Sequence, residues 1–182
     1  MLPRARRGSA VTPEETAMRP VTPAQIRSSF INASRSEAAR LTLPPGFDQL
    51  AWDTLDVLGW RDPKMPLRGY LTLRTTGDRL VSVLLRAPAG GARKNRAVLC
   101  ELCRSVEATN DVLLWVARRA GAAGRNGNTV GTLICADFAC SANVRVAPPE
   151  GDMHPDPAAV VARQIDGLIA RADQFAERVR ER

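Results

Sequence analysis

Four cysteines stand in two close pairs, and they are the only cysteines of the 182-residue chain. Cys100 and Cys103 form a C-x2-C pair, and Cys135 and Cys140 form a C-x4-C pair further along the chain. Such paired spacings predict a zinc site, because two sulfurs on one tight turn can reach the same ion at about 2.3 Å and two pairs complete a tetrahedron. Four thiolates fill the coordination sphere, so the sequence predicts one structural Zn²⁺ with no open position for a substrate.

The alternatives are two disulfides or four ordinary buried thiols. Disulfides require an oxidising compartment, and the arginine-containing N-terminus has no apolar stretch typical of a secretory signal. Scattered core cysteines are not expected to fall into two close pairs. The sequence therefore favours reduced, metal-binding cysteines and a cytoplasmic location.

The charge balance limits the classes of partner and activity. Lys and Arg total 26 against 19 Asp and Glu, a net charge of +7, which suggests an acidic partner such as a nucleic acid or an acidic protein surface. No run of 18 apolar residues is present, so no transmembrane helix and no membrane association are expected. Phosphate-binding glycine loops and nucleophile elbows are absent, and the lone His154 lies in a Pro- and Gly-rich stretch. We therefore expect neither enzyme activity nor a small-molecule substrate.

The first third of the chain carries a helical start signal and several breaks. Residues 1–21 lack periodicity and are expected to form a disordered tail. Thr22, Pro23 and Gln25 form a capping box with a proline at the first helical position, which predicts a helix over 22–41. The stretch 32–34 is expected to bend or break this helix. A short helical turn is expected over 48–55, and the three tryptophans, Trp52, Trp60 and Trp115, are expected in the core.

Strand patterns surround the cysteine pairs. A hairpin is predicted from 70–75 and 79–86 around a Gly-containing turn, and a strand over 96–99 leads into the first cysteine pair. A second hairpin, 112–118 and 129–134, joins the pairs through a glycine-rich turn. Cys140 is then expected in the first turn of a short helix. A cysteine turn, a hairpin and a helix carrying the last ligand follow the order of a treble-clef finger.

The C-terminal segment predicts a long helix. Residues 148–157 form a linker, and apolar residues recur at helical spacing throughout 158–181, so this segment predicts an amphipathic helix. The resulting fold class is α+β. An antiparallel sheet over 69–134 and a treble clef over 96–146 form one domain, 22–147, with helices at both ends.

Five segments resemble a bacterial protein family. They are QIRSSFINAS (25–34), EAARLTLP (37–44), WDTLDVLGWRDP (52–63), VARRAGAAGRNGN (116–128) and VGTLICADFACSANVR (130–145). Together they resemble the FBP domain family of elongation-factor-G-binding proteins, which includes the FusB-type fusidic acid resistance proteins. The resemblance covers about residues 22–146.

The resemblance implies a function in translation. In this family the treble-clef finger docks on elongation factor G, and in resistance proteins this drives the factor off ribosomes where fusidic acid has trapped it. The four zinc ligands carry over onto Cys100, Cys103, Cys135 and Cys140. The chain has a smaller N-terminal helical part than the resistance proteins, so binding to the factor is better supported than drug resistance. The alternative is a zinc-finger module that binds ribosomal RNA or another nucleic acid.

Basic residues near the finger are the candidates for partner contact. On the predicted hairpin tip these are Arg118, Arg119, Arg125, Asn126 and Asn128. Guanidinium groups suit carboxylates and phosphates alike, although a solvated loop is an equally ordinary explanation. A second group precedes the first ligand pair and either extends the docking surface or offsets the charge of the thiolates. It consists of Arg93, Lys94 and Arg96.

Overall fold

A five-stranded antiparallel sheet forms the centre of the protein in the computed structural model, which describes residues 17–89, 98–106 and 111–181. The strands lie in the order of the chain, each beside the next. They are β1 Val57–Arg61, β2 Arg68–Arg74, β3 Leu80–Arg86, β4 Val112–Arg118 and β5 Thr129–Cys135. The α+β class and both expected hairpins are confirmed. The sheet begins at Val57, one strand earlier than expected, because the segment after Asp56 pairs with β2 along its whole length.

Two short helices replace the single expected helix over 22–41. They are α1 Pro23–Ser28 and α2 Arg35–Ala39, and each begins with a complete capping box, at Thr22 and at Ser34. The break between them falls at residues 32–34, where the sequence indicates it. Two single turns of 3-10 helix follow, Phe47–Gln49 and Trp52–Thr54, which confirm the helical turn expected over 48–55.

Asn32 explains why the helix breaks where it does. Its side-chain amide donates to the Leu84 carbonyl at 2.9 Å and to the Arg118 carbonyl at 3.0 Å, and its oxygen accepts from the Leu84 amide at 2.8 Å. Strands β3 and β4 share only the pair Arg86 and Val116. The Asn32 side chain therefore joins the two halves of the sheet where few backbone hydrogen bonds connect β3 and β4. Residue 32 lies between the two helices, where its side chain can reach both strands.

The two faces of the sheet are covered by different elements, because side chains alternate along each strand. Leu58, Trp60, Tyr70 and Leu84 face α1 and the 3-10 turns. The opposite face carries the apolar residues of β2, β3 and β4 and packs on the C-terminal helix, α5, Pro157–Arg180. The buried side of α5 includes Leu168, Phe175 and Val179, all at 0% exposure, which confirms its amphipathic pattern. No helix within the described ranges is long and apolar enough to cross a bilayer.

The packed chain begins before Thr22. Met18 and Val21 are 3% and 5% exposed, and the Met18 amide donates to the Leu55 carbonyl. Met18 and Val21, which lie within the expected tail 1–21, thus belong to the core, because both pack in the cluster that includes Phe47 and Leu58. Residues 1–16 lie outside the described residues.

A pair of glycines, Gly59 in β1 and Gly69 in β2, leaves room for the ring of Phe138 from the finger. A Cβ atom added at Gly59 would lie 2.5 Å from the Phe138 ring, and one at Gly69 would lie 2.7 Å from it and from the Trp115 ring. Phe138 and Trp115 themselves pack with their centroids 4.8 Å apart. Glycine in a strand often marks such a close approach, and here it seats the finger on the sheet.

We predict that Gly59→Ala lowers the free energy of unfolding by about 1–3 kcal/mol, because the new methyl group overpacks the core against Phe138. Urea denaturation followed by circular dichroism measures the change. The matched control is Gly77→Ala, where the nearest atom would be the Thr75 hydroxyl at 3.8 Å; it should stay within about 0.5 kcal/mol of the parent. Equal stability of both variants would contradict the close packing of Phe138 on β1.

Candidate metal centre

The sulfur atoms of Cys100, Cys103, Cys135 and Cys140 all lie within 4.8 Å of one another. The Sγ atoms of Cys100 and Cys140 are 3.7 Å apart, as are those of Cys103 and Cys135. A tetrahedral ion with bonds of about 2.3 Å requires ligand sulfurs about 3.8 Å apart, so the spacing fits one ion. A disulfide would bring two sulfurs to about 2 Å, and all four cysteines are free and buried.

The first cysteine pair sits on a tight turn. The Cys103 amide donates to the Cys100 sulfur at 3.5 Å, and the Arg104 amide donates to the Cys100 carbonyl at 3.0 Å. A further bond, from the Glu101 amide to the Leu133 carbonyl, ties the turn to β5. Val98 and Leu99 are not in a strand, so this part of the expected strand 96–99 is wrong: the chain enters the turn directly, and the Glu101 amide bonds β5. Residues 96–97 lie outside the described residues.

The second pair is placed by secondary structure. Cys135 is the last residue of β5, and Cys140 is the first residue of a short helix, α4, Cys140–Asn143. Between them, Phe138 adopts a left-handed conformation with φ 60° and donates its amide to the Cys135 carbonyl. The prediction that Cys140 begins a helix is therefore confirmed. The hairpin β4–β5 brings the two pairs together as the order of elements predicted.

The four thiols cannot all ionise freely at this spacing. Contacts with its neighbours, first Cys103, lower the pKa of Cys100, whereas contacts with the same group, first Cys100, raise the pKa of Cys140. One sulfur thus becomes a thiolate at the expense of another. A divalent cation at the centre removes this conflict, because all four ligands can then be deprotonated.

Two side chains other than the cysteines support the sulfurs. The Asn143 amide donates to the Cys135 sulfur at 3.4 Å and to the Cys103 sulfur at 3.9 Å. From α5, the Arg171 Nε donates to the Leu102 carbonyl at 2.6 Å, which brings a positive charge close to the thiolates. Burial, followed by the charge of Arg104, lowers the pKa of Arg171, while the cysteines act to raise it. Asn143 has a local signal, three residues after Cys140, but no sequence pattern connects Arg171 with the turn at Leu102.

The helix that carries the last ligand is anchored on β1. The Ser141 hydroxyl accepts from the amides of Asp56 and Val57 at 3.0 and 3.2 Å and donates to the Val57 carbonyl at 3.1 Å. Arg145 forms a two-pronged ion pair with the fully buried Asp56 carboxylate. Arg145 therefore holds α4 on the sheet.

The hairpin tip is clamped on both sides. The Arg118 guanidinium pairs with Glu37 in α2 at 3.0 Å, and the Arg119 guanidinium bonds Glu181 at 3.0 Å and the Arg178 carbonyl at 2.9 Å. Residues 121–128 contain one turn of helix, α3 Gly121–Arg125, in place of the simple turn expected. This tight turn requires glycine at position 124, because a Cβ atom there would lie 1.8 Å from the Arg119 carbonyl oxygen.

The other candidate contact residues divide into two sets. Arg125, Asn126 and Asn128 are exposed on the tip. The second basic group, Arg93, Lys94 and Arg96, lies outside the described residues.

The tryptophans and carboxylates serve the fold. Trp60 and Trp115 are buried and Trp52 is half-buried, in keeping with the core role expected of them. The Asp62 carboxylate accepts from the Tyr70 hydroxyl and from the amides of Lys64 and Met65.

A closed four-thiolate centre, built from a turn, a β-hairpin and a short helix, defines a treble-clef zinc-finger protein. Comparison with known families agrees: the chain belongs to the FBP C-terminal treble-clef zinc-finger family, whose model matches residues 25–179. The matched range includes most of α5. One structural zinc ion is the cofactor that this family and the four buried cysteines define.

Among solved structures, the chain is similar to the fusidic acid resistance protein FusC. The TM-score is 0.52 with 16% sequence identity, covering 70% of this chain and 54% of FusC. The chain thus spans about half the length of that relative, and at this identity the likeness concerns the fold. No curated protein sequence matches the chain.

Proposed function

We propose that the protein binds elongation factor G through its zinc finger and promotes release of the factor from the ribosome, without chemistry of its own. The observation that carries this proposal is the closed four-cysteine centre in a chain of the FBP family. Because four thiolates leave no position for a substrate, such a zinc ion holds a shape instead of catalysing a reaction. The fold of a fusidic acid resistance protein supports the same class of function.

The finger offers a surface suited to an acidic protein. Arg118 and Arg119 form ion pairs within the chain, so they fix the tip and are not the displayed charges. Arg125, Asn126 and Asn128 are exposed there. Toward the cysteine end of the same hairpin, Leu114 is 46% exposed on the face of β4 away from α5 and pairs with Leu133 of β5. An apolar strip beside polar and cationic groups has the composition of a protein–protein interface.

The test is calorimetry of the zinc-loaded protein with purified elongation factor G at low salt. Arg125→Glu should weaken the complex by about tenfold, because it reverses an exposed charge at the centre of the proposed contact. The control is Arg163→Glu, an equal change of charge at an exposed position near the other end of α5, roughly 24 Å along the helix from Val179, which contacts the hairpin.

Absence of any association between the parent protein and the factor would refute the proposal. Equal weakening by both variants would refute the assignment of the tip while leaving the partner in place. With binding established, release is measured by the fraction of factor that sediments with ribosomes in the presence of fusidic acid. The protein should lower that fraction.

A nucleic-acid contact at the finger tip has less support. Bases in single-stranded RNA commonly stack on aromatic side chains, and residues 118–129 contain none.

A further inference from the structure

A groove between α2 and the β1–β2 turn contains neither a zinc ligand nor a residue of the hairpin β4–β5 in its lining. Its volume is about 440 Å³, which is within the range of small-molecule sites. The residues that line it include three cations and two carboxylates: Glu37, Arg40, Thr42, Asp62, Lys64, Met65 and Arg68.

The two carboxylates are already occupied by other donors. Glu37 accepts from the Ser34 amide and hydroxyl and pairs with Arg118, and Arg86 lies 3.6 Å away. Burial alone would raise the pKa of Glu37, but these hydrogen bonds and charges outweigh it and lower the pKa. Asp62 accepts three hydrogen bonds, from the Tyr70 hydroxyl and two backbone amides. The charge of Glu37 is paired with Arg118 and Arg86, and the single charge of Asp62 can offset only one of the three cations, so the groove keeps an excess of positive charge.

The three cations have no acidic partner among the described residues. Within the ranges that the structure describes, Arg40, Lys64 and Arg68 form no ion pair, although eight ion pairs occur elsewhere in those ranges. The Nε atom of Arg68 is buried, and the part of the chain that the structure describes offers it no hydrogen-bond acceptor. A buried donor without a partner is costly, and a ligand oxygen in the groove would supply the missing acceptor.

We propose that this groove binds the phosphate group of a nucleotide, either free or within a nucleic-acid strand. Two guanidinium groups and an ammonium group suit the oxygens of a phosphate, because guanidinium bonds it with two parallel N–H donors. The groove is larger than one phosphate requires, and Met65, 49% exposed at its edge, offers an apolar surface for a sugar or base. The site would add a nucleic-acid contact at residues other than those proposed to contact elongation factor G.

The test uses the full-length, zinc-loaded protein and a fluorescent oligouridine strand, with anisotropy measured over a series of salt concentrations. Arg40→Gln with Lys64→Gln should weaken binding by about tenfold and reduce the slope of log K against log salt by about 1 to 1.5. The matched control, Arg125→Gln with Arg163→Gln, removes the same charge at exposed positions without ion pairs in the described residues, and should change binding by less than about twofold.

A second measurement separates the sources of the phosphate. Adenosine monophosphate that displaces the strand in the parent protein, but not in the groove variant, indicates a site for free nucleotides. Strand binding that resists the mononucleotide, yet depends on Arg40 and Lys64, indicates a site for a strand. Equal losses in both double variants, or no binding of either ligand, would overturn the proposal. Arg40 and Lys64 are both exposed, so their substitution should not destabilise the fold. An unchanged melting temperature confirms that the groove variant is folded.

The groove and the proposed partner surface are separable by the same variants. Arg40→Gln with Lys64→Gln should leave the affinity for elongation factor G unchanged, whereas Arg125→Glu should weaken that affinity. Failure of the groove proposal therefore leaves the proposal for the zinc finger intact.

Discussion

Removal of the zinc ion, or replacement of Cys140 by serine, is expected to unfold the finger. Structural zinc contributes about 10–16 kcal/mol in small fingers, which is comparable to the whole stability of a typical domain, about 5–15 kcal/mol. The four cysteines lie in one core cluster with Phe138, Trp115 and the buried side of α5. Loss of the ion should therefore release α5 as well as the hairpin.

Native mass spectrometry should find one zinc per chain in the parent and none in the Cys140→Ser variant. Hydrogen exchange should then show loss of protection in β5 and α5, and tryptophan emission should shift to longer wavelength because Trp115 becomes hydrated. Addition of one equivalent of zinc to the chelated parent should restore both signals and is the control for damage by the chelator. A folded, metal-free parent with unchanged protection would contradict a structural role for the ion.

The metal centre could be predicted from sequence because its signals are local. Each cysteine pair lies on one short turn, so its spacing alone indicates that both sulfurs reach one ion. The hairpin between the pairs follows from alternating strands on either side of a glycine-rich turn. These short-range patterns need no knowledge of the remaining fold, and the same holds for the 24 residues of α5 with their helical repeat.

The side chains that join these parts could not be predicted from sequence, since their partners are far apart in the chain. Arg171 meets the Leu102 carbonyl across 69 positions, and Asn32 meets the Arg118 carbonyl across 86. The break at residues 32–34 is indicated locally by the sequence, but the hydrogen bonds that Asn32 makes there to β3 and β4 are not.

The partner residues illustrate a different limit. Sequence places Arg118, Arg119 and Arg125 on one tip and treats them as equivalent. In the fold, Arg118 and Arg119 pair with carboxylates from α2 and from the end of α5, while Arg125 is exposed. Which cations are available for a partner depends on where acidic residues arrive in space, and that information is distributed over the whole chain.

The second large effect is expected from Arg145→Met. The Asp56 side chain is 0% exposed, and Arg145 is the cation that pairs with it. A buried ion pair that loses one partner typically costs about 3–5 kcal/mol, because the remaining charge stays buried without compensation. We expect about 3 kcal/mol at pH 7.5, near the lower end, since the Arg145 side chain keeps 24% of its surface exposed.

The loss should depend on pH in a defined direction. Burial already raises the pKa of Asp56, and Arg145 acts against this rise. Without Arg145 the pKa of Asp56 should rise further, so the folded variant takes up a proton more readily than the unfolded chain does. Stability of the variant relative to the parent should therefore recover as the pH falls through that raised pKa, and it should be lowest above it.

The double variant Asp56→Asn with Arg145→Met separates this effect from that of the metal. Protonation of the thiolates weakens zinc binding at low pH in every variant, so the comparison between single and double variants cancels this contribution. The double variant should be more stable than Arg145→Met alone at pH 7.5, because it leaves no buried charge, and the difference should shrink on acidification. Equal urea midpoints for the two variants at pH 7.5 would mean that Asp56 is solvated in the fold. In that case the ion pair would not be what holds the ligand-bearing helix α4 on the sheet.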